Sequence, residues 1–102
     1  MQVNQLEIDK LKENAVKAAD ILGVMSNASR LLALCYLCEG DKTVQELQAH
    51  LGIKQSALSQ HLAVLRREKL VTTSKEGKSV IYSLASADVR TLLQTLCEIY
   101  CR

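Results

Sequence analysis

Apolar positions recur with a helical period in five stretches of the chain and give way to a shorter period in a sixth. Between residues 4 and 25, Leu6, Leu11, Val16, Ala19, Leu22 and Met25 make a loose stripe beside Lys and Glu side chains, which predicts an amphipathic helix. In the second stretch, SRLLALCYLCE, either Ser26 or Asn27 stands where a short polar side chain can accept from the first free N–H groups. Gly40 is expected to end that helix in the left-handed conformation. Thr43 and Glu46 in TVQE have capping-box spacing, so a short helix should run to Leu51 and stop at Gly52. The stretch QSALSQHLAVLRREK, residues 55–69, places Ala57, Leu58, Leu62 and Leu65 on one face, although Lys54 is a poor capping residue. The period then changes: LVTTSKEGKSVIYSL is rich in β-branched residues around Gly77 and predicts a two-stranded hairpin. Ser86 starts a last helix that carries Leu92, Leu93, Leu96 and Ile99 and should run nearly to the end of the chain.

The predicted order is therefore α-α-α-α-β-β-α, a mainly α domain with one small β-hairpin. The short helix, the Gly52 turn and the following helix make a helix-turn-helix, and a hairpin with a basic tip makes it winged. At 102 residues the chain is expected to be one domain, residues 1–102, near the lower limit for burying a core unaided. It has no Phe or Trp and three Tyr, so the core must come from Leu, Ile, Val, Ala and Cys. The absence of Pro suits a helical chain. No apolar run reaches the ~18 residues of a membrane span, and the N-terminus is polar. A cytoplasmic protein without a membrane partner is the resulting expectation.

Charge matters once it is divided. Residues 54–78 hold six basic side chains (Lys54, Arg66, Arg67, Lys69, Lys75 and Lys78) against Glu68 and Glu76, within a chain of net charge +2. A basic segment in a weakly acidic frame points to an anionic partner, nucleic acid first. The first turns of the second helix of a helix-turn-helix meet base edges in the major groove, and the outward residues there are Gln55, Ser56, Ser59 and Gln60. Glutamine pairs a donor with an acceptor in the arrangement adenine presents, and serine bonds a base or a phosphate. Arg66 and Arg67, further along, suit phosphate contacts that fix register. Lys75 and Lys78 flank the hairpin turn and put two ammonium groups at the wing tip. His50 and His61 have no metal-ligand partners nearby in sequence and are expected to be packing residues. No cluster of His, Asp, Glu or Lys beside a nucleophile suggests an enzyme.

QSALSQHLAVLRREKLV followed by SKEGKSVIYSL resembles the ArsR/SmtB family of bacterial winged-helix repressors, with the likeness running from about Arg30 to Tyr82 and the flanking helices fitting the family's first and last. The resemblance implies a homodimer joined through those two helices, a near-palindromic operator in double-stranded DNA, and release when an inducer binds. A small chain with apolar stripes on both terminal helices favours a two-fold dimer independently.

The family's metal inducers are the first consideration for the four cysteines, Cys35, Cys38, Cys97 and Cys101. One family site needs Cys-x-Cys on the first helix of the helix-turn-helix, which reads VQELQAHLG here; another needs Asp and His on the last helix, which has Asp88 and no histidine. Neither metal site nor cofactor is therefore expected, although four thiolates holding zinc remains an alternative. Cys35 lies too deep in its helix for a thioredoxin-like motif, whose reactive thiol sits at a helix N-terminus. The arrangement is similar instead to the thiol- and persulfide-sensing branch of the family. That similarity implies a redox-sensing pair, Cys35 in LLALC and Cys101 in IYC, switched by reactive sulfur species or an oxidant. Cys38 and Cys97 would be auxiliary thiols or small buried hydrophobes. The rival functions are a metal-responsive repressor of the same family and a winged-helix protein-interaction module that does not bind DNA.

Overall fold

Short polar side chains open four of the five helices in the computed structural model, which describes residues 3–101. Asn4 caps α1 (Gln5–Met25), Asn27 caps α2 (Ala28–Glu39), Thr43 caps α3 (Val44–Leu51) and Ser86 caps α5 (Ala87–Tyr100). The exception is α4 (Gln55–Arg67), where Lys54 supplies no side-chain cap, as its residue type foretold. At α3 the capping box is complete: Glu46 N donates to Thr43 Oγ1 at 3.1 Å, and Thr43 N donates to Glu46 Oε1 at 2.9 Å. Hydrogen bonding with Thr43 holds the Glu46 carboxyl below the usual carboxylate range.

The junction between α1 and α2 divides labour between the two candidate caps. Asn27 Oδ1 accepts from Arg30 N at 3.0 Å and starts α2, while Ser26 Oγ donates to Gly23 O at 2.8 Å and closes α1. Arg30 Nε then donates back to Val24 O at 2.7 Å, holding a bend of 95° between the helices.

Two expectations are corrected at helix ends. Gly40 is extended (φ 160°, ψ 167°) and not left-handed. The chain leaves α2 directly for a two-residue strand, β1 (Lys42–Thr43), that was absent from the predicted order. Lys42 and Thr43 pair with Tyr82 and Ile81, so the sheet has three antiparallel strands in the order β1-β3-β2, with β2 (Val71–Glu76) and β3 (Ser79–Leu84) forming the predicted hairpin. Gly77, at φ 63°, takes the first of the two turn positions between Glu76 and Ser79, where positive φ suits the right-handed twist of a hairpin. The second correction is at α4, which stops at Arg67 and does not continue to Lys69. Lys69 has φ 64°; its N–H donates to Arg66 O at 3.1 Å, and Leu70 N donates to Leu65 O at 2.8 Å. That is a Schellman closure with lysine in the place glycine usually takes. Leu65 and Leu70, at its two ends, are both buried in the core.

The core forms one cluster of Met25, Leu34, Leu37, Leu47, Leu58, Leu62, Leu65, Leu70, Val71, Val89 and Leu93, mostly leucine as the composition required. The stripe on α1 contributes little to it: of its predicted residues only Met25 is buried, while Leu6, Leu11, Val16 and Leu22 are exposed. The Cα radius of gyration is 15.2 Å, against about 13 Å for a compact domain of this size. The excess comes from α1, whose 21 residues span about 31 Å at ~1.5 Å per residue and extend past the core. Among the described residues no single helix is long and apolar enough to cross a membrane.

Candidate functional site

The helix-turn-helix is set by local contacts. Gly52 closes α3 in the left-handed region (φ 66°, ψ 22°), and Gln48 Nε2 donates to Ile53 O at 3.3 Å across the turn. Leu58, Leu62 and Leu65 then anchor α4 from below. The 3.6-residue period turns Gln55, Ser56, Ser59, Gln60, Ala63, Arg66 and Arg67 outward, and all are exposed. Every candidate base- or phosphate-contacting residue of α4 thus lies on the solvent side. Polar hydrogen-bonding groups occupy its N-terminal half and guanidinium groups its last turn.

Lys75 and Lys78 are exposed on either side of the hairpin tip, with Glu76 between them. Arg67 Nε lies 3.7 Å from Glu68 Oε1 in a solvent-exposed pair, a weak tie that a phosphate can displace. Ser59, Ala63, Arg66 and Arg67 also line an open cleft of about 440 Å³ with Val44 and Tyr82. Tyr82 was missed as a neighbour of this face; it is brought there by its pairing with Lys42. His50 stacks on Tyr36 with ring centroids 4.4 Å apart, and His61 is half-buried on α4.

The thiols gather where α2 meets the outer part of α5. Arg90 Nη1 donates to Cys38 O at 3.0 Å, fastening the start of α5 to the end of α2. No sequence signal marks Arg90 for this role, because the acceptor is a backbone carbonyl 52 residues away. Cys35 and Cys38 are half-buried, and burial pushes both thiols above the ordinary range. Cys38 is also pulled down by Arg90 and pushed up by Cys97, and Cys35 is pushed up by Cys38 and Cys97. Cys97 therefore lies within electrostatic reach of both α2 cysteines.

Cys97 is exposed, which corrects its reading as a small buried hydrophobe; α5 buries Val89 and Leu93, and Cys97 lies one further turn along, where the core has ended. Its Sγ donates to Cys101 Sγ at 2.9 Å, and this bond raises the Cys97 thiol first, ahead of the Cys101 charge. None of the four cysteines is disulfide-bonded. Cys97 is thus in contact with Cys101, and its charge is felt at Cys35 and Cys38. Among the described residues, no three His, Cys, Asp or Glu side chains are grouped to hold a metal ion.

Comparison with known proteins places this geometry among bacterial regulators. Residues 27–73 match the model of the bacterial regulatory protein, arsR family. The transcriptional activator HlyU of Vibrio cholerae serotype O1 is 41% identical over 97 residues, 95% of this chain and 90% of the relative. A structure of reduced HlyU from Vibrio cholerae superposes with a TM-score of 0.86 at 43% identity, covering 91% of this chain and 98% of that one. The transcriptional repressor BigR from Xylella fastidiosa superposes at 0.88 and 35% identity, covering 92% and 96%. With a close full-length relative, the family match over the helix-turn-helix and the same winged fold, this chain belongs to the arsR family of bacterial regulatory proteins, DNA-binding regulators of transcription.

Proposed function

We propose that the protein is a dimeric repressor whose affinity for a near-palindromic operator is switched by a bridge between Cys35 and Cys101. The observation that carries this reading is the meeting of α2 and α5 thiols across one helix junction, with Cys97 felt electrostatically at Cys35 and Cys38 and in contact with Cys101. The junction lies beside the part of α5 whose apolar residues Leu92 and Ile99 are exposed. In this reading α1 and α5 bury those stripes against a second copy, which sets two α4 helices about one DNA turn apart. That HlyU has been solved in a form specified as reduced fits a regulator whose thiol state is a variable. Repression is the sense favoured for a protein that must let go of DNA when bridged.

The chemistry balances with a low-molecular-weight persulfide as reagent. It transfers its outer sulfur to one protein thiol and departs as a thiol; the second thiol attacks the protein persulfide, expels hydrogen sulfide and leaves a disulfide. Two protein persulfides condensing with loss of hydrogen sulfide give a trisulfide, which spans a wider gap than the ~7 Å Cα limit of a disulfide. With peroxide, the thiol becomes a sulfenic acid with loss of water, and a second water leaves as the disulfide forms. Because burial keeps Cys35 protonated at neutral pH, its reaction should accelerate as pH rises through the raised thiol range.

A bridge ties the end of a dimerisation helix to α2, beneath the DNA-binding unit, and so favours one spacing of the recognition helices over the other. The test uses duplex DNA selected by the reduced protein from a random pool. Persulfide should release wild type, while Cys35→Ser and Cys101→Ser each stay bound. Release of either variant at the wild-type dose would remove that residue from the switch.

A further inference from the structure

The proposed switch takes one thiol from each helix and leaves Cys97 unused, yet Cys97 makes the sole sulfur–sulfur hydrogen bond among the described residues, 2.9 Å to Cys101. Both of these sulfurs belong to exposed residues, whereas Cys35 and Cys38 are half-buried. Within a single copy the α5 pair is therefore the more accessible to a reagent arriving from solvent. Spacing of four residues on a helix rising ~1.5 Å per residue sets the two Cα atoms about 6 Å apart, inside the ~4.4–6.8 Å that a disulfide accepts. Cys101 is also the C-cap (φ −104°, ψ 33°), with its N–H donating to Cys97 O at 2.9 Å. Only that last turn has to adjust for the sulfurs to bond. In the reduced pair the two sulfurs are in contact, and hydrogen bonding to Cys101 raises the Cys97 thiol.

We infer that Cys97 and Cys101 form a second, intrahelical dithiol that closes before the interhelical bridge and passes it to Cys35, an inference that rests on the Cys35–Cys101 reading. A persulfide donor gives its outer sulfur to Cys101 and leaves as a thiol. Cys97 then attacks the Cys101 sulfur, expelling hydrogen sulfide and closing the bridge within α5. Cys35 next attacks the Cys101 sulfur of that bridge; Cys97 departs and takes up the proton that Cys35 gives up. This exchange needs no further oxidant. A bridge confined to α5 leaves α2 untied, so the first oxidation is held without release from DNA, and release waits for the exchange.

Tryptic mapping of the full chain separates these species, because residues 91–102 form one peptide with Cys97 and Cys101 and residues 31–42 another with Cys35 and Cys38. After glutathione persulfide is added and aliquots are quenched in acid, the expected first product is peptide 91–102 lighter by two hydrogens and refractory to alkylation. The linked pair of peptides should follow it. A Cys35→Ser, Cys38→Ser double variant should keep the internal bridge, and Cys97→Ser should lose it and form the linked pair more slowly. The inference is overturned if the linked pair is the first product, if the double variant shows no internal bridge, or if Cys97→Ser links at the wild-type rate. Failure of the broader reading looks different: linked peptides would accumulate while the protein stayed on its DNA.

Discussion

The helix-turn-helix buries the centre of its apolar face, whereas α1 leaves most of its stripe open and α5 part of its own. Leu47, Leu58, Leu62 and Leu65 of α3 and α4 are each no more than 1% exposed, while Leu6, Val16 and Leu22 of α1 and Ile99 of α5 are between 49% and 77% exposed. The two regions have similar side chains and opposite fates. What separates them is whether the chain itself supplies a facing surface: α2 and the sheet cover α3 and α4, and among the described residues nothing covers the length of α1. The DNA-reading unit is thus complete within one copy, and in the proposed dimer the terminal helices are completed by association. A regulator built this way can change the relation between two reading units without disturbing either one.

The sharpest way to break this contrast is to make the same truncation in both regions. Leu62→Ala should cost about 2–5 kcal/mol, because it empties a closed core, and thermal unfolding should show it as a large fall in midpoint. Leu22→Ala should leave the fold of the single chain nearly unchanged. Equal losses from both would mean that α1 is packed in a way its exposure denies.

Charge sharpens the same comparison next. Leu22→Glu combined with Ile99→Glu should convert the dimer to a monomer by sedimentation and weaken operator binding strongly, with circular dichroism unaltered. A dimer that survives both charges would place the interface elsewhere. Changes on the DNA face should behave differently: Arg66→Ala, Lys75→Ala or Lys78→Ala should preserve the dimer and reduce the slope of log affinity against log salt by about 0.9 for each phosphate no longer neutralised. Gln55→Ala should weaken binding to the selected sequence while leaving that slope intact, since a neutral side chain on a base edge displaces no counterion.

The smallest expected effect lies in the completed region. Thr43→Ala removes the α3 cap and should cost about 1 kcal/mol. Glu46 is held below its ordinary pKa when folded, so its contribution is present above the ordinary carboxylate value and is lost as pH falls through the folded value. Glu46→Gln should remove that part of the acid dependence in a melting series from neutral to acidic pH.

How much of this was legible in the sequence follows from the range of the interactions. Caps at Thr43 and Ser86, the Gly52 stop and the Gly77 turn depend on neighbours a few residues away, and each appears where its residues predicted. The outward face of α4 follows from the period alone. By contrast β1 was invisible, because a two-residue strand has no alternation to read and its partners Ile81 and Tyr82 lie nearly forty residues downstream. Lys69 hid the end of α4 because a lysine in the left-handed region carries none of glycine's signal. At the thiol site the α2 and α5 cysteines stood out as residue types, and the family resemblance implied Cys35 with Cys101. The exposure of Cys97 and its contact with Cys101 were not legible, since they depend on where α5 outruns the core.

The central claim is that a bridge between the two helices, and not thiol oxidation in general, governs DNA binding. One titration addresses it directly: persulfide is added stepwise to the operator-bound protein, and each sample is split between DNA-bound fraction and linked peptides 31–42 and 91–102. The linked fraction and the released fraction should rise together and fall together when a reductant is added. Complete release from DNA with the two peptides still unlinked would contradict the claim.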